Sequence, residues 1–326
     1  MELVTVDDVR AAAELIAGRV VRTPLLASRW SEEVLLKPEN LQPVGSFKLR
    51  GATNAVGRLP AGQRDRGVVT HSSGNHGQAL AWAAAAAGVP CTVVIPRGAP
   101  AVKVEQVRTL GAEVVLVEPE RRLAEAERIA AERGRELIPP YDDRRIIAGQ
   151  GTVGLEIVTD LPEVDVVLVP VGGGGLASGV ATAVRALRPG AAVIGVEPEY
   201  AADARESLAT GTVARWPVER TYRTSADGLR TNLSELTLAH LRDRLDGIVT
   251  VTEEEIAAAL ARLVRQSRLV VEPSGAVAPA AALFRAADLP PGRTVAVVSG
   301  GNVDPAVLAE AALGRSPAET AAVRPG

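Results

Sequence analysis

The stretch from Val164 to Leu187 constrains this 326-residue chain more than any other. An apolar run to Val171 reads as a strand over Asp165 to Val171, Gly172 to Gly175 form a loop, and Leu176 to Leu187 reads as a helix. A strand with no polar alternation is one covered on both faces, the mark of a parallel sheet. The same rhythm recurs upstream. Val68 to Thr70, Cys91 to Ile95 and Val114 to Val117 read as strands. Asn75 to Ala87, Val102 to Leu110 and Arg121 to Arg133 read as the helices between and after them. Downstream, Thr152 to Thr159 reads as a helix, Val193 to Val196 and Thr294 to Ser299 as strands, and Thr252 caps a helix to about Leu269. The first helix starts on the capping-box pattern Thr5-Val6-Asp7-Asp8 and stops near Gly18. Glu199 to Leu233 reads as loop with short helices, and the last ten residues as a frayed end. The pattern predicts an α/β chain of two lobes with a cleft between them.

Charge and composition remove several function classes. With 36 basic and 39 acidic side chains the formal net charge is -3, so no basic excess points to nucleic acid or an anionic membrane surface. Ala79 to Val89 and Val164 to Val171 are too short to span a bilayer. Glu2 and an acidic amphipathic segment follow Met1, which is not the pattern of a secretion signal. The single Cys91 forbids an intrachain disulfide, and the expected setting is cytoplasmic. One bias within the charges is informative. Only Lys37, Lys48 and Lys103 are lysines; the other 33 basic residues are arginines. Lysine forms Schiff bases and arginine does not, so each retained lysine is a candidate for amine chemistry, with chance retention the alternative.

Four segments gather groups that suit one cofactor. Gly172 to Gly175 offer unobstructed N–H groups at a helix start, an anion cradle for which phosphate is the usual occupant. The spacing Gly172-x-Gly174-x-x-Ala177, with Glu197 ending the next strand, also fits a dinucleotide site, and so an NAD(P)-dependent oxidoreductase. A tight turn with no ligand is the third possibility. Ser72-Ser73-Gly74-Asn75-His76-Gly77 places two hydroxyls and an amide at another helix start, richer than capping requires and suited to a carboxylate or phosphate. Ser299-Gly300-Gly301-Asn302 can put one hydroxyl in the cleft. Gly45 to Gly51 carries Lys48 beside Phe47. An amine, a phosphate cradle, a carboxylate cradle and a placed hydroxyl together make a pyridoxal phosphate site.

These motifs resemble the serine/threonine dehydratase family of fold type II pyridoxal phosphate enzymes. The resemblance is carried by the segments Lys37 to Ala52, Thr70 to Gln78, Pro170 to Gly175 and Ser299 to Asn302, and runs from about residue 5 to 310. Cysteine synthases share the fold but carry other residues around the lysine. The resemblance implies two open twisted α/β lobes of the tryptophan synthase β type with the cofactor in the cleft. Residues 1–56 and 146–326 would form the large cofactor-binding domain, and 57–145 the small domain with the carboxylate loop. Lys48 would hold the cofactor as a Schiff base and act as base at Cα. Phe47 would pack near the ring, Asn75 would bond the phenolic oxygen, Gly172 to Gly175 with Leu176 would grip the phosphate, and Ser299 would face the pyridine nitrogen. Ser72, Ser73, Asn75 and His76 would bind the substrate, an amino acid such as L-serine, L-threonine or 3-hydroxyaspartate. It would leave as a 2-oxo acid and ammonia while the small lobe closes over it.

Two features resemble the serine racemase and threo-3-hydroxyaspartate dehydratase branch. Ser73 would be the acid/base opposite Lys48, which makes an amino-acid racemase the alternative activity. Glu197, Asp203 and the Ala201 carbonyl would bind Mg²⁺, or Ca²⁺ or Mn²⁺, as hard oxygen ligands; a solvated acidic loop is the other reading. Tyr141 stands where serine racemase has Asn and receives no role, and neither does His71. Arg128 reads as part of a solvated helix face. The chain ends soon after Ser299, so a C-terminal regulatory domain is not expected, and a homodimer is.

Overall fold

The computed structural model describes residues 2–72 and 74–314, so Ser73 and the expected frayed end lie outside the described residues. Among the described residues ten strands carry the fold: β1 (Leu26–Ala27), β2 (Val34–Pro38), β3 (Val68–Thr70), β4 (Cys91–Pro96), β5 (Glu113–Val117), β6 (Glu136–Leu137), β7 (Val166–Pro170), β8 (Ala192–Pro198), β9 (Gly247–Val251) and β10 (Thr294–Val298). Six form one sheet in the order β1-β2-β10-β7-β8-β9, and four form another in the order β5-β4-β3-β6. All pairings are parallel except the β1–β2 edge.

Alternation of side chains explains why β7 and β10 read as unbroken apolar runs. Val166, Leu168, Ala296 and Val298 enter a core on one face of the larger sheet, with the Pro273–Phe284 helix packed there. Val167, Val169, Val295 and Val297 enter a second core on the other face, with the Gly175–Leu187 helix. The smaller sheet is likewise covered on both faces, Val68 and Val93 lying in one cluster and Val69 and Val94 in another.

Several elements differ from the sequence expectation, each for a physical reason. The helix expected over Thr152 to Thr159 spans Arg144–Asp160, with the Asp143 side chain capping it by accepting from the Arg145 N–H. Its first half holds Gly149 and Gly151, which read as helix breakers. They are there for close packing: a Cβ on Gly149 would sit 2.6 Å from the Cα of Gly51 in the Lys48–Gly57 helix. The helix begun by the Thr252 capping box ends at Arg262 and gives way to a π-turn over Leu263–Ser267. Strands β2 and β9 and the Pro273–Phe284 helix were not anticipated. Lys37 in β2 and Pro279 inside that helix masked the patterns.

A buried ionic network fixes the helix that starts at Lys48. The Arg50 guanidinium, fully enclosed, donates to both carboxylate oxygens of Glu39 at 2.7 Å and to Glu156 at 2.6 and 2.9 Å. Lys37 Nζ donates to the Thr23 carbonyl and to Glu156 Oε2, each at 2.6 Å. Two cations and two carboxylates thus balance inside the protein. The guanidinium holds Glu39 below its ordinary value despite burial, which favours its neutral form.

Candidate active site

Lys48 is the first residue of its helix, and the segment before it is stitched to the end of β10. Phe47 N donates to the Ser299 carbonyl at 3.1 Å, Gly301 N donates to the Gly45 carbonyl at 2.8 Å, and Ser46 forms a β-bridge with Gly300. Gly45 takes a left-handed turn, with φ at +71°, where a Cβ would lie 2.5 Å from Asn302 Oδ1. The result places Lys48, Phe47 and Ser299 together at the carboxyl ends of the strands, where open parallel sheets bind ligands. Lys48 Nζ donates to the Pro140 carbonyl at 2.7 Å and lies 5.1 Å from the Phe47 ring centroid. Burial, with no carboxylate to offset it, lowers its pKa to about 8. The Ser299 hydroxyl donates to the Ser274 carbonyl at 3.2 Å.

The four glycines follow β7 after Val171 and lead into the Gly175–Leu187 helix, with Gly174 as its N-cap at φ +84°. Each is pressed by a neighbour. A Cβ on Gly172 would lie 2.9 Å from the Leu229 Cα, and one on Gly173 would overlap the Tyr141 ring. Pro140 and Tyr141, adjacent in sequence, therefore connect the Lys48 amine to the glycine loop. The bare N–H groups and the positive helix end form an anion site, and Leu176 is buried behind it. The residues fit pyridoxal phosphate: a cradle for phosphate, and an amine of lowered basicity for the aldehyde.

On the other side of the cleft, Asn75 opens the Asn75–Ala86 helix. Its Nδ2 donates to Glu272 Oε1 at 2.7 Å, and its Oδ1 accepts from Asn302 Nδ2 at 2.7 Å. The Ser72 hydroxyl accepts from Gly74 N at 3.3 Å. His76 is buried, with its Nε2 3.0 Å from the Ile138 carbonyl. Burial, then the nearby Lys48 charge, push its pKa down to about 3, so the ring is neutral. Burial, aided by the charge of Arg122, likewise lowers the pKa of His71.

Glu197 lies near the end of β8, Ala201 in the turn that follows and Asp203 at the start of the Asp203–Thr210 helix, all fully or almost fully buried. Both Glu197 oxygens accept backbone N–H groups, from Ala204 at 2.9 Å and Arg205 at 2.8 Å. Glu197 thus meets the start of the Asp203–Thr210 helix. Asp203 Oδ2 is buried without a hydrogen-bond partner, and desolvation raises the Asp203 pKa to about 7. Burial and the neighbouring Asp203 raise that of Glu197 well above its ordinary value. Two buried carboxylates with an orphaned oxygen fit a cation, although no cluster of three or more His, Cys, Asp or Glu suited to a metal occurs among the described residues.

Of the three lysines, Lys48 is the one linked to the glycine loop, through Pro140 and Tyr141. Lys37 belongs to the buried network, and Lys103 pairs with Asp227 at 3.1 Å. Arg128 is engaged by Glu125 and Glu132 of its own helix, the solvated face expected for it. A cavity of about 560 Å³ opens elsewhere, lined by Arg19, Pro43, Thr53 and Trp82 among others, and includes none of these site residues. Sequence reasoning missed Glu272, Asn302 and Pro140 as parts of the site. Glu272 could have been found as a lone acid that follows the apolar run Leu269-Val270-Val271 and precedes Pro273 at a helix start.

A family model described as pyridoxal-phosphate dependent enzyme matches residues 16–300. L-threo-3-hydroxyaspartate ammonia-lyase from Saccharomyces cerevisiae is 40% identical over 308 residues, 92% of this chain and 94% of its own length. L-threonine ammonia-lyase from Thermotoga maritima is 41% identical over 93% of this chain and 76% of its own. The structure of maize serine racemase superposes with a TM-score of 0.90 at 37% identity, covering 96% of this chain and 98% of that one.

Proposed function

The chain belongs to the pyridoxal-phosphate dependent enzyme family, and from that premise we propose that it is an ammonia-lyase acting on a β-hydroxy amino acid. L-serine, L-threonine or 3-hydroxyaspartate would be converted to a 2-oxo acid and ammonia. The observation that carries this reading is the half-buried Lys48, whose amine is tied through Pro140 and Tyr141 to the glycine loop. Bound pyridoxal phosphate supplies an electron sink for the bonds at Cα. The protein's own groups do the rest. Lys48 holds the cofactor and then takes the Cα proton, and its lowered basicity keeps part of the amine free at neutral pH. The amides of Gly172 to Gly175, backed by Leu176, would hold the phosphate, and Phe47, Ser299 and Asn75 would hold the ring. The loop of Ser72, Ser73, Asn75 and His76 binds the substrate carboxylate. Loss of the Cα proton and the β-hydroxyl, followed by hydrolysis of the released enamine, balances as one 2-oxo acid and one ammonia with no net water.

A cation at Glu197, Asp203 and the Ala201 carbonyl is part of the same reading, Mg²⁺ first and Ca²⁺ or Mn²⁺ as substitutes, supported by the orphaned Asp203 oxygen. So are residues 57–145 as a small domain against the large domain of 1–56 and 146–326, supported by the strand membership of the two sheets. We also read the protein as a cytoplasmic homodimer. Exposed Leu41 and Val270, joined where Asn40 Nδ2 donates to the Val270 carbonyl, offer an apolar contact, and sedimentation tests it. No helix among the described residues is long and apolar enough to cross a membrane.

A second reading, an amino-acid racemase on the same scaffold, is favoured by the likeness to maize serine racemase and by the Ser72-Ser73 pair. One assay separates the two. L-serine, L-threonine, D-serine and both 3-hydroxyaspartate diastereomers are incubated with the enzyme, and 2-oxo acid and the D/L ratio are measured. Oxo acid from at least one hydroxyamino acid is expected. Racemisation without oxo acid would replace the first reading by the second.

A further inference from the structure

We propose that Glu272 and Asn302 are positioning residues that fix the side-chain amide of Asn75, leaving its second N–H for the cofactor. The inference rests on the reading above that Asn75 meets the phenolic oxygen. A side-chain amide can rotate by half a turn and exchange its oxygen for its nitrogen; an unlocked Asn75 would present either to the ring. Here Asn302 permits one orientation, and Glu272 accepts in that orientation. Asn302 Nδ2 donates to the Val44 carbonyl at 2.9 Å, a group that can only accept, so the Asn302 amide is itself fixed. The same nitrogen donates to Asn75 Oδ1 at 2.7 Å, which places the Asn75 oxygen. Asn75 Nδ2 must then face the other way, and Glu272 Oε1 accepts one of its two N–H groups at 2.7 Å.

The backbone makes room for this arrangement. A Cβ on Gly300 would overlap Glu272 Oε1, and one on Gly45 would meet Asn302 Oδ1, so both glycines are needed where the two amides and the carboxyl come together. Glu272 is anchored by its own N–H, which donates to the Gly300 carbonyl at 3.1 Å, and begins the Pro273–Phe284 helix as its N-cap. Burial and the nearby Asp227 carboxylate raise its pKa to about 7, while Asn75 and Lys103 oppose the rise. In either protonation state Oε1 can accept from Asn75. Within the pattern Ser299-Gly-Gly-Asn302, the serine hydroxyl donates to the Ser274 carbonyl and the asparagine orients Asn75.

The test uses the full chain with its cofactor, read by the absorbance of the lysine-bound form and by the pyridoxal phosphate Kd on removal and re-addition. Glu272→Ala should shift the absorbance band and raise Kd on the order of fivefold, the size of one lost hydrogen bond. Glu272→Gln, which keeps an oxygen acceptor, should stay within about twofold of the parent on the same scale. The decisive arm is Asn75→Ala, where adding Glu272→Ala should change neither readout further. Asn302→Ala serves as a second probe with the same expectations. The proposal is overturned if Asn75→Ala alters both readouts while Glu272→Ala and Asn302→Ala alter neither, or if either substitution costs as much with Asn75 already removed. Silence of Asn75→Ala alone would remove the assigned contact of Asn75, and this inference with it, while leaving Lys48 and the glycine loop untouched.

Discussion

The Lys48 amine and the Pro140 carbonyl meet at 2.7 Å, so the proton of the half-buried lysine is held by a neutral acceptor and by no carboxylate. Burial is then uncompensated, and the pKa falls from 10.5 to about 8. At pH 7 roughly a tenth of such amines are free, against fewer than roughly one in a thousand for an ordinary lysine.

The rate at which the cofactor-free protein takes up pyridoxal phosphate should therefore rise with pH through about 8 and level off above it. Only the unprotonated amine attacks the aldehyde, which sets the sign. The linked stability has the same direction: between about 8 and 10.5 the unfolded chain binds more protons at this site, so the cofactor-free fold gains stability as pH rises. Stopped-flow absorbance across that range measures the uptake. An inflection near the ordinary lysine value would show that the amine is not desolvated.

The buried network predicts a large cost for removing one anion. Glu156→Ala leaves Lys37 and Arg50 facing Glu39 alone, two enclosed cations for one carboxylate. Breaking a buried pair in this way costs about 3–5 kcal/mol, because the surviving charge stays out of water. Chemical denaturation of the variant should show a loss of that order. A loss below about 1 kcal/mol, the range of an exposed ion pair, would mean that water reaches the site.

Tyr141 gives the glycine loop a test by compensation. Gly173→Ala should weaken cofactor binding at least tenfold, because its Cβ overlaps the Tyr141 ring and displaces the loop. Gly173 needs no left-handed backbone, and the Tyr141 ring is what its Cβ meets first. Tyr141→Ala in that background should restore much of the affinity. Equilibrium titration with the cofactor decides: no recovery in the double variant would mean that the methyl blocks the phosphate itself.

How far this was legible from sequence differs residue by residue. Strands β7 and β10 and the glycine loop were readable because apolar continuity and glycine runs are local signals. Lys48 stood out against an arginine background. The Arg144–Asp160 helix was cut short because Gly149 and Gly151 look like breakers until Gly51 is seen against them. Strand β2 was missed because Lys37 looks exposed until Glu156, 119 positions away, is found beside it. The partners of Asn75 are likewise 197 and 227 positions distant, and no local pattern reports an amide's orientation.

The last prediction concerns the acidic turn after β8. Asp203 Oδ2 is enclosed without a donor, and the adjacent Glu197 carboxylate is met by two backbone N–H groups and no cationic side chain in hydrogen-bond contact. In its ionised form such a pair is unfavourable unless a cation joins it, and hard oxygen donors favour Mg²⁺ or Ca²⁺ over softer metals. A cation that binds the folded chain alone stabilises it by about 2.7 kcal/mol at a hundred times its Kd. Thermal unfolding should therefore move upward with added Mg²⁺ and return with EDTA, while Asp203→Asn, nearly the same shape without the charge, should show no such gain. An equal shift in the variant would place the cation elsewhere. No shift in the parent with Mg²⁺, Ca²⁺ or Mn²⁺ would leave the two carboxyls as a protonated, metal-free pair.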